Sequence, residues 1–163
     1  MYFDIVQFSR SDESLKLAKF LGYSNLIFKE DFSKLNVING GDLNVNNSAV
    51  RDKKVDMLLN PHNVRGIDNL HFRNSGLNQT ICKLARENNV IIGISLGMLR
   101  DYLDYGRVMQ NIRLCKKYKV DIAFFSFAKD ELELKGVNDM LAFCRILGMD
   151  ENLAKNSLGK VFK

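Results

Sequence analysis

Strand-length apolar runs alternate with helix-length amphipathic segments along most of the chain. Tyr2 to Phe8 reads as a strand. A helix is expected from Asp12 to about Leu21, with Leu15, Ala18 and Leu21 on one face. Ser11 or Asp12 can cap that helix, Gly22 can end it, and Asn25 to Phe28 reads as a second strand. Strand, helix and strand in this order form a βαβ unit, which favours parallel pairing. Further along, Ser75 is placed to cap a helix running from Gly76 to about Asn88. Its inner face would be Leu77, Ile81, Leu84 and Ala85, while Lys83, Arg86 and Glu87 face out. Val90 to Ser95 is apolar on both faces, as parallel strands covered by helices are. A helix from about Asp101 to Tyr118 is expected to turn Tyr105, Met109, Ile112 and Cys115 inward. Val120 to Phe127 reads as a strand and Val137 to Leu147 as a helix; Gly148 stops that helix, and Asp150 caps a last short one.

The middle of the chain carries a weaker pattern. Val37 to Asn39, Leu43 to Val45 and Asp56 to Leu59 have strand character. The polar stretch NGGDLNVNNSAVRDKK reads as a loop with one short helix near Ser48 to Lys53. About seven or eight strands alternating with helices predict an α/β fold, a TIM-barrel-like parallel barrel forming one domain over residues 1–163. A full (β/α)₈ barrel takes roughly 250 residues, so some elements should be abbreviated. Neither a linker nor an internal repeat interrupts the pattern.

Composition narrows the chemistry. Of 163 residues, 46% are hydrophobic and 26% charged, as in an ordinary globular domain, and the formal net charge is +5. That balance suits an anionic partner such as RNA and is also common in proteins with no such role. No apolar run approaches the roughly 18 residues of a bilayer span. MYFDIVQF lacks the basic region of a secretory leader, so a cytoplasmic location is expected. Cys82, Cys115 and Cys144 are odd in number and widely spaced, each inside a helical apolar stripe. They read as small buried hydrophobes rather than disulfides or zinc ligands.

Few residues offer catalysis. A barrel metalloenzyme needs His and carboxylate ligands at several strand ends. This chain offers Asp4, His62, His71 and Asp101. No nucleophile elbow or phosphate-binding Gly-rich fingerprint is present, and Asp101 with Asp104 suits the positive end of a helix better than an acid pair. The basic loops remain. Arg65 and Arg73 bracket GIDNLHF, and Asn74 and Ser75 follow at the expected start of a helix, where free N–H groups and a bidentate arginine suit a phosphate. The alternative is a capped helix beside a solvated arginine. Arg113, Lys116, Lys117 and Lys119 read as cations complementing a helix C-terminus. Phe72 and Tyr105 read as inward-packing aromatics rather than base-stacking ones. Lys129 follows FFSF and belongs at the strand C-terminal rim, and Lys155 and Lys160 lie in a basic tail.

RGIDNLHFRNSGLNQTICKLARENNVIIGISL resembles the central block of archaeal ribonuclease P protein component 3, the relative of the thirty-kilodalton subunit of the eukaryotic nuclear enzyme. The similarity lies in Arg65 with Asp68, in Gly76-Leu77-Asn78, in Lys83-Leu84-Ala85 with Glu87-Asn88, and in Val90 to Leu96. The C-terminal part is similar in Ser126-Phe127-Ala128, Asp139-Met140-Leu141, Leu147-Gly148-Met149 and Ala154-Lys155-Asn156-Ser157, so the resemblance runs over about residues 56–158. It implies a barrel akin to the polymerase and histidinol phosphatase phosphoesterases, with their metal-binding histidines largely missing. It implies a subunit that binds and stabilises the catalytic RNA, with magnesium held by the RNA and no cofactor on this chain. The RNA would remove the 5′ leader of precursor tRNA. A ferredoxin-like partner protein and a heterotetramer with two copies of each are implied too. The RNA-binding residues expected are Arg65, Arg73, Asn74, Ser75, Lys129 and Lys160, with Asp68 orienting Arg65 or Arg73. The family's usual length implies a trimmed N-terminal barrel element, and the loop GMLRDYLDYGR a local difference in RNA contacts. The competing reading is a small barrel metallophosphoesterase.

Overall fold

The computed structural model describes residues 1–68, 70–71 and 73–159; Phe72 and Lys160 lie outside them. The strands are β1 (Phe3–Ile5), β2 (Asn25–Ile27), β3 (Val37–Asn39), β4 (Met57–Leu59), β5 (Ile91–Ser95) and β6 (Ile122–Phe125). The helices are α1 (Asp12–Phe20), α2 (Lys29–Phe32), α3 (Leu43–Arg51), α4 (Gln79–Glu87), α5 (Tyr102–Tyr118), α6 (Val137–Ile146) and α7 (Glu151–Leu158). Every ladder is parallel. One sheet pairs β1 with β2, and the other runs β3-β4-β5-β6. Just beyond the strand ends the two sheets join: Phe127 N donates to Ile5 O at 3.0 Å and Gln7 N to Ala128 O at 2.8 Å. The Asp4 carboxylate reinforces the seam by accepting from Ser126 N at 2.7 Å. The order is thus β2-β1-β6-β5-β4-β3, a curved parallel α/β wall of TIM-barrel type. Among the described residues it does not close between β2 and β3.

The two-residue period of the strands sorts the core into two layers. Ile5, Met57, Leu59, Ile91, Ala123 and Phe125 point to the concave side, joined by Ile27, Val37, Phe32 and Phe127. Val6, Leu26, Leu58, Ile92, Ile94, Ile122 and Phe124 point to the helices. Gly93 leaves room for Met57 in the inner layer, where a Cβ would collide with the Met57 sulfur. Cys82, Cys115 and Cys144 are buried free thiols in the outer layer, as their stripes predict.

Among the described residues six strands form where seven or eight were expected. Leu43 to Val45 is the first turn of α3, because Asp42 caps it by accepting from Asn44 N at 2.9 Å and Val45 N at 3.0 Å. On α5, Val108, Ile112 and Cys115 face inward together with Asp104, Arg107 and Asn111. Tyr105 lies at the border, half-exposed against the edge of Phe143.

Candidate nucleic-acid interface

In parallel barrels chemistry sits at the strand C-terminal mouth. Here Phe32, Phe125 and Phe127 meet there edge-on, with centroids 5.5 Å apart for Phe32–Phe127 and 5.6 Å for Phe125–Phe127. Beside them Asn60 and Ser95 bind each other: Ser95 N donates to Asn60 Oδ1 at 2.9 Å, and Asn60 Nδ2 to Ser95 Oγ at 2.9 Å. An aromatic plug and a closed amide–hydroxyl pair thus occupy the place of a catalytic site. Among the described residues no three His, Cys, Asp or Glu side chains gather as metal ligands. Asp101 caps α5 by accepting from Leu103 N and Asp104 N. The phosphoesterase reading finds no support in this arrangement.

Asp4 and His62 are buried and far from ordinary titration. Burial pushes the Asp4 carboxyl up to about 6, against the lowering bonds from Ser126 and Ile5. Burial pushes His62 down to about 4, and nearby Asp104 opposes that shift only in part. The folded chain therefore holds the Asp4 proton more tightly than the unfolded one, whose value is about 3.9, so this contribution to stability falls as pH rises from about 4 to 6. Folded His62 resists the proton that the unfolded chain accepts at about 6.5, so its contribution rises with pH from about 4 to 6.5. Each amounts to about 3 kcal/mol, and the two largely cancel. Asp4→Asn is expected to unmask the histidine, giving a urea midpoint that climbs from about pH 4 to 6.5. His62→Gln is expected to give the opposite slope. Two flat profiles would overturn the account.

The basic loop between β4 and α4 is built differently from the cap expected of it. The N-cap of α4 is Asn78, whose Oδ1 accepts from Ile81 N at 2.9 Å. Ser75 is not the cap: it is 1% exposed. Its hydroxyl accepts from Gln110 Nε2 at 3.0 Å and its carbonyl from Asn111 Nδ2 at 2.8 Å, so it fastens the loop to α5 and presents no surface. The reason is steric. Gly76 adopts φ +76 in the turn before the helix, which moves the first free N–H groups past Ser75.

Arg107, not foreseen from the sequence, organises the loop. It is 4% exposed and donates from Nη1 to Val64 O at 3.0 Å and from Nη2 to Gly66 O at 2.8 Å. Its Nε and Nη2 both reach Asp68 Oδ1 at 2.9 Å. Asp68 therefore pairs with Arg107 rather than with Arg65 or Arg73, and it also accepts from Asn74 N at 3.1 Å. Three polar residues at inward positions of α5 (Asp104, Arg107, Asn111), beside the apolar Val108, Ile112 and Cys115, are the available signal. Their spacing of three and four places them on one helical face, where a plain core helix would carry apolar side chains.

So fixed, the loop presents Arg73 and Arg65. Arg73 is exposed and lies across α5, with Nη1 donating to Gly106 O at 3.0 Å. Gly106 makes this possible, since a Cβ there would stand 2.8 Å from Arg73 Nη1. Arg65 is exposed and has no ion pair among the described residues. Asn74 is half-buried beneath them. Lys129 sits at the strand C-terminal rim as expected, exposed, on a separate cavity of about 360 Å³. Of the remaining cations, Lys116 pairs with Asp150 at 2.6 Å and Lys155 with Glu151 at 2.6 Å, whereas Arg113 faces the Arg73 loop.

Fold and loop together define a class: an open parallel α/β wall of TIM-barrel type whose mouth is plugged and whose arginines are displayed on a braced loop beside it. The chain belongs to the RNase P subunit p30 family, whose model matches residues 29–163. It is 32% identical over 133 residues to Ribonuclease P protein component 3 of Methanosarcina mazei, covering 78% of this chain and 52% of that protein. To the protein of the same name in Thermococcus kodakarensis it is 30% identical over 127 residues, covering 74% of this chain and 54% of the other. The chain spans about half the length of the curated relatives it matches. A chain in a cryo-EM structure of archaeal Ribonuclease P with mature tRNA shares the fold, with a TM-score of 0.75 and 20% identity over 96% of this chain and 87% of that one.

Proposed function

We propose that this chain is a protein subunit of ribonuclease P, the endoribonuclease that removes the 5′ leader from precursor tRNA, and that it is itself non-catalytic. The observation that carries this reading is the family match over residues 29–163. The plugged barrel mouth supports the second half of it. In this reading the RNA holds magnesium and performs the cleavage in the cytoplasm. The chain stabilises that RNA together with a ferredoxin-like partner protein, in a heterotetramer. Among the described residues no helix is long and apolar enough to cross a membrane. Arg65 and Arg73 contact phosphates, Lys129 and Lys160 add weaker contacts, and Asn74 and Ser75 hold the loop in place.

Omit-one reconstitution tests this. The cognate ribonuclease P RNA and partner proteins are combined at low magnesium, and leader removal is followed with and without this chain. Activity should fall on omission and return on re-addition; equal activity in both mixtures overturns the proposal. Within the same system Arg73→Ala is expected to weaken RNA association and reduce the slope of log affinity against log salt by about one. An unchanged slope removes Arg73 from the interface.

A further inference from the structure

A cavity of about 700 Å³ lies between the β4–α4 loop and the first half of α5. Its volume is in the range of about 300–1,000 Å³ typical of small-ligand sites. Leu70, His71, Arg73, Tyr102, Gln110 and Arg113 form its walls. Two features set it apart from an ordinary surface dent. Tyr102 is 80% exposed and Leu70 is 93% exposed, so an aromatic ring and an aliphatic side chain stand free at one site. Both guanidinium groups on the wall, Arg73 and Arg113, have no carboxylate partner among the described residues. Among the described residues Asp68 is the one acid on the wall, and it is already paired with Arg107 at 2.9 Å. The lining is therefore cationic and partly aromatic.

We infer that this cavity binds a single unpaired nucleotide of RNA, its base stacked on Tyr102 and its flanking phosphates held by Arg73 and Arg113. The inference rests on the ribonuclease P reading and specifies what its loop recognises. An apolar peptide would leave both arginines without a countercharge, and a base-paired duplex offers phosphates but no free base face for the ring. An unpaired nucleotide satisfies both requirements, because every base has a flat face and every phosphate accepts a bidentate guanidinium. The site is also built in advance. Arg107 fixes the loop through Val64, Gly66 and Asp68, and Gly106 O holds one nitrogen of Arg73, so little ordering remains to be done on binding. Gln110 braces the loop from beneath by donating to Arg73 O at 3.2 Å.

The test uses the full chain and two fluorescein-labelled probes, a single-stranded oligouridylate of about eight nucleotides and a blunt RNA duplex of the same length, followed by anisotropy over a salt series. The single strand should bind more tightly than the duplex. Tyr102→Ala should weaken the single strand about tenfold and spare the duplex, and Tyr102→Phe should retain affinity because the ring remains. Arg113→Ala should lower the salt slope for the single strand by about 0.7. Tyr102 is exposed, so thermal melts of its variants should match the parent and exclude misfolding. Equal loss for both probes, no effect of Tyr102→Ala, or no binding of the single strand overturns the inference. A Tyr102→Ala chain that binds the probe normally yet fails to join the partner protein assigns the cavity to protein instead and also overturns it. Reconstitution with the parent chain is read separately. If it succeeds while Tyr102→Ala changes nothing, only the nucleotide site falls; if it fails, the ribonuclease P reading falls with it.

Discussion

Gly76→Ala is expected to destabilise the chain by at least about 4 kcal/mol, enough to leave little native protein at 37 °C in a domain of ordinary stability. Two costs add. At φ +76 an alanine occupies the left-handed region, a penalty of about 1–3 kcal/mol by itself. The larger cost is steric, because the new Cβ would be driven into the Pro61 carbonyl oxygen and would stand 2.8 Å from Asn46 Nδ2. Those atoms cannot yield separately. The two N–H groups of the buried Asn46 amide are shared among Gly76 O at 2.8 Å, Gly41 O at 3.0 Å and Pro61 O at 3.2 Å, and its Oδ1 accepts from Gly41 N at 2.9 Å. One side chain thus ties the β3–α3 loop, the β4–α4 loop and the entry to α4 together, and backing Pro61 away breaks the knot. Urea unfolding and backbone amide exchange would check this. A Gly76→Ala chain with parental stability would show that the turn relaxes freely and that the knot is not a constraint.

The Asn46 knot also shows where sequence reading stops. The helices and strands with a clean period were legible: α1, whose cap falls on Ser11 of the two candidates Ser11 and Asp12, β5, α6 stopped by Gly148, and α7 capped by Asp150. Their signals are local, being a run of apolar residues, a cap and a glycine. Asn46 gives no such signal. In NGGDLNVNNSAV it looks like one more solvated asparagine, and its burial follows only from which loops the barrel brings to it. Ser75 fails in the opposite sense, as a cap-like residue next to a helix. The left-handed turn at Gly76 shifts the helix start to Asn78 and hands Ser75 to Gln110 and Asn111, some thirty-five residues on. The exposure of Arg65 and Arg73 is legible because cations on a polar loop need no partner to be recognised as solvated. In the sequence Arg113 reads as a helix-terminus cation, since nothing there says that α5 lies alongside the Arg73 loop. The mouth plug was likewise unreadable, because Phe32, Phe125 and Phe127 come from both sides of the open wall.

Arg107→Met should be the second most damaging single change, costing about 3–5 kcal/mol, and it should dismantle the exposed loop surface without altering any exposed residue. Methionine keeps much of the side-chain volume but removes every donor. The Asp68 carboxylate, with its side chain 13% exposed, then loses the cation that compensates its burial, and the Val64 and Gly66 carbonyls lose their partners. At about 2–4 °C per kcal/mol for a domain of this size, the melting temperature should drop by roughly 6–20 °C. Asp68→Asn alone should cost less, because the amide oxygen can still accept from Asn74 N and Arg107. Combining the two changes should cost less than their sum, since a neutral amide opposite the methionine leaves no charge stranded. The loop should also open locally: limited proteolysis is expected to cut between residues 64 and 75 in Arg107→Met and not in Arg73→Ala. RNA affinity should fall further in Arg107→Met than in Arg73→Ala, although only Arg73 is exposed on the loop surface. The contrast separates a contact from its scaffold. Losing Arg73 removes one charge from an intact surface, which changes the salt slope and leaves the melt alone. Losing Arg107 dismantles the surface, which changes the melt, the cleavage pattern and the affinity together. Equal melting temperatures and equal protease resistance in the two variants would mean that the loop is held by Gln110 and Asn111 alone, and Arg107 would then have no part in presenting the arginines.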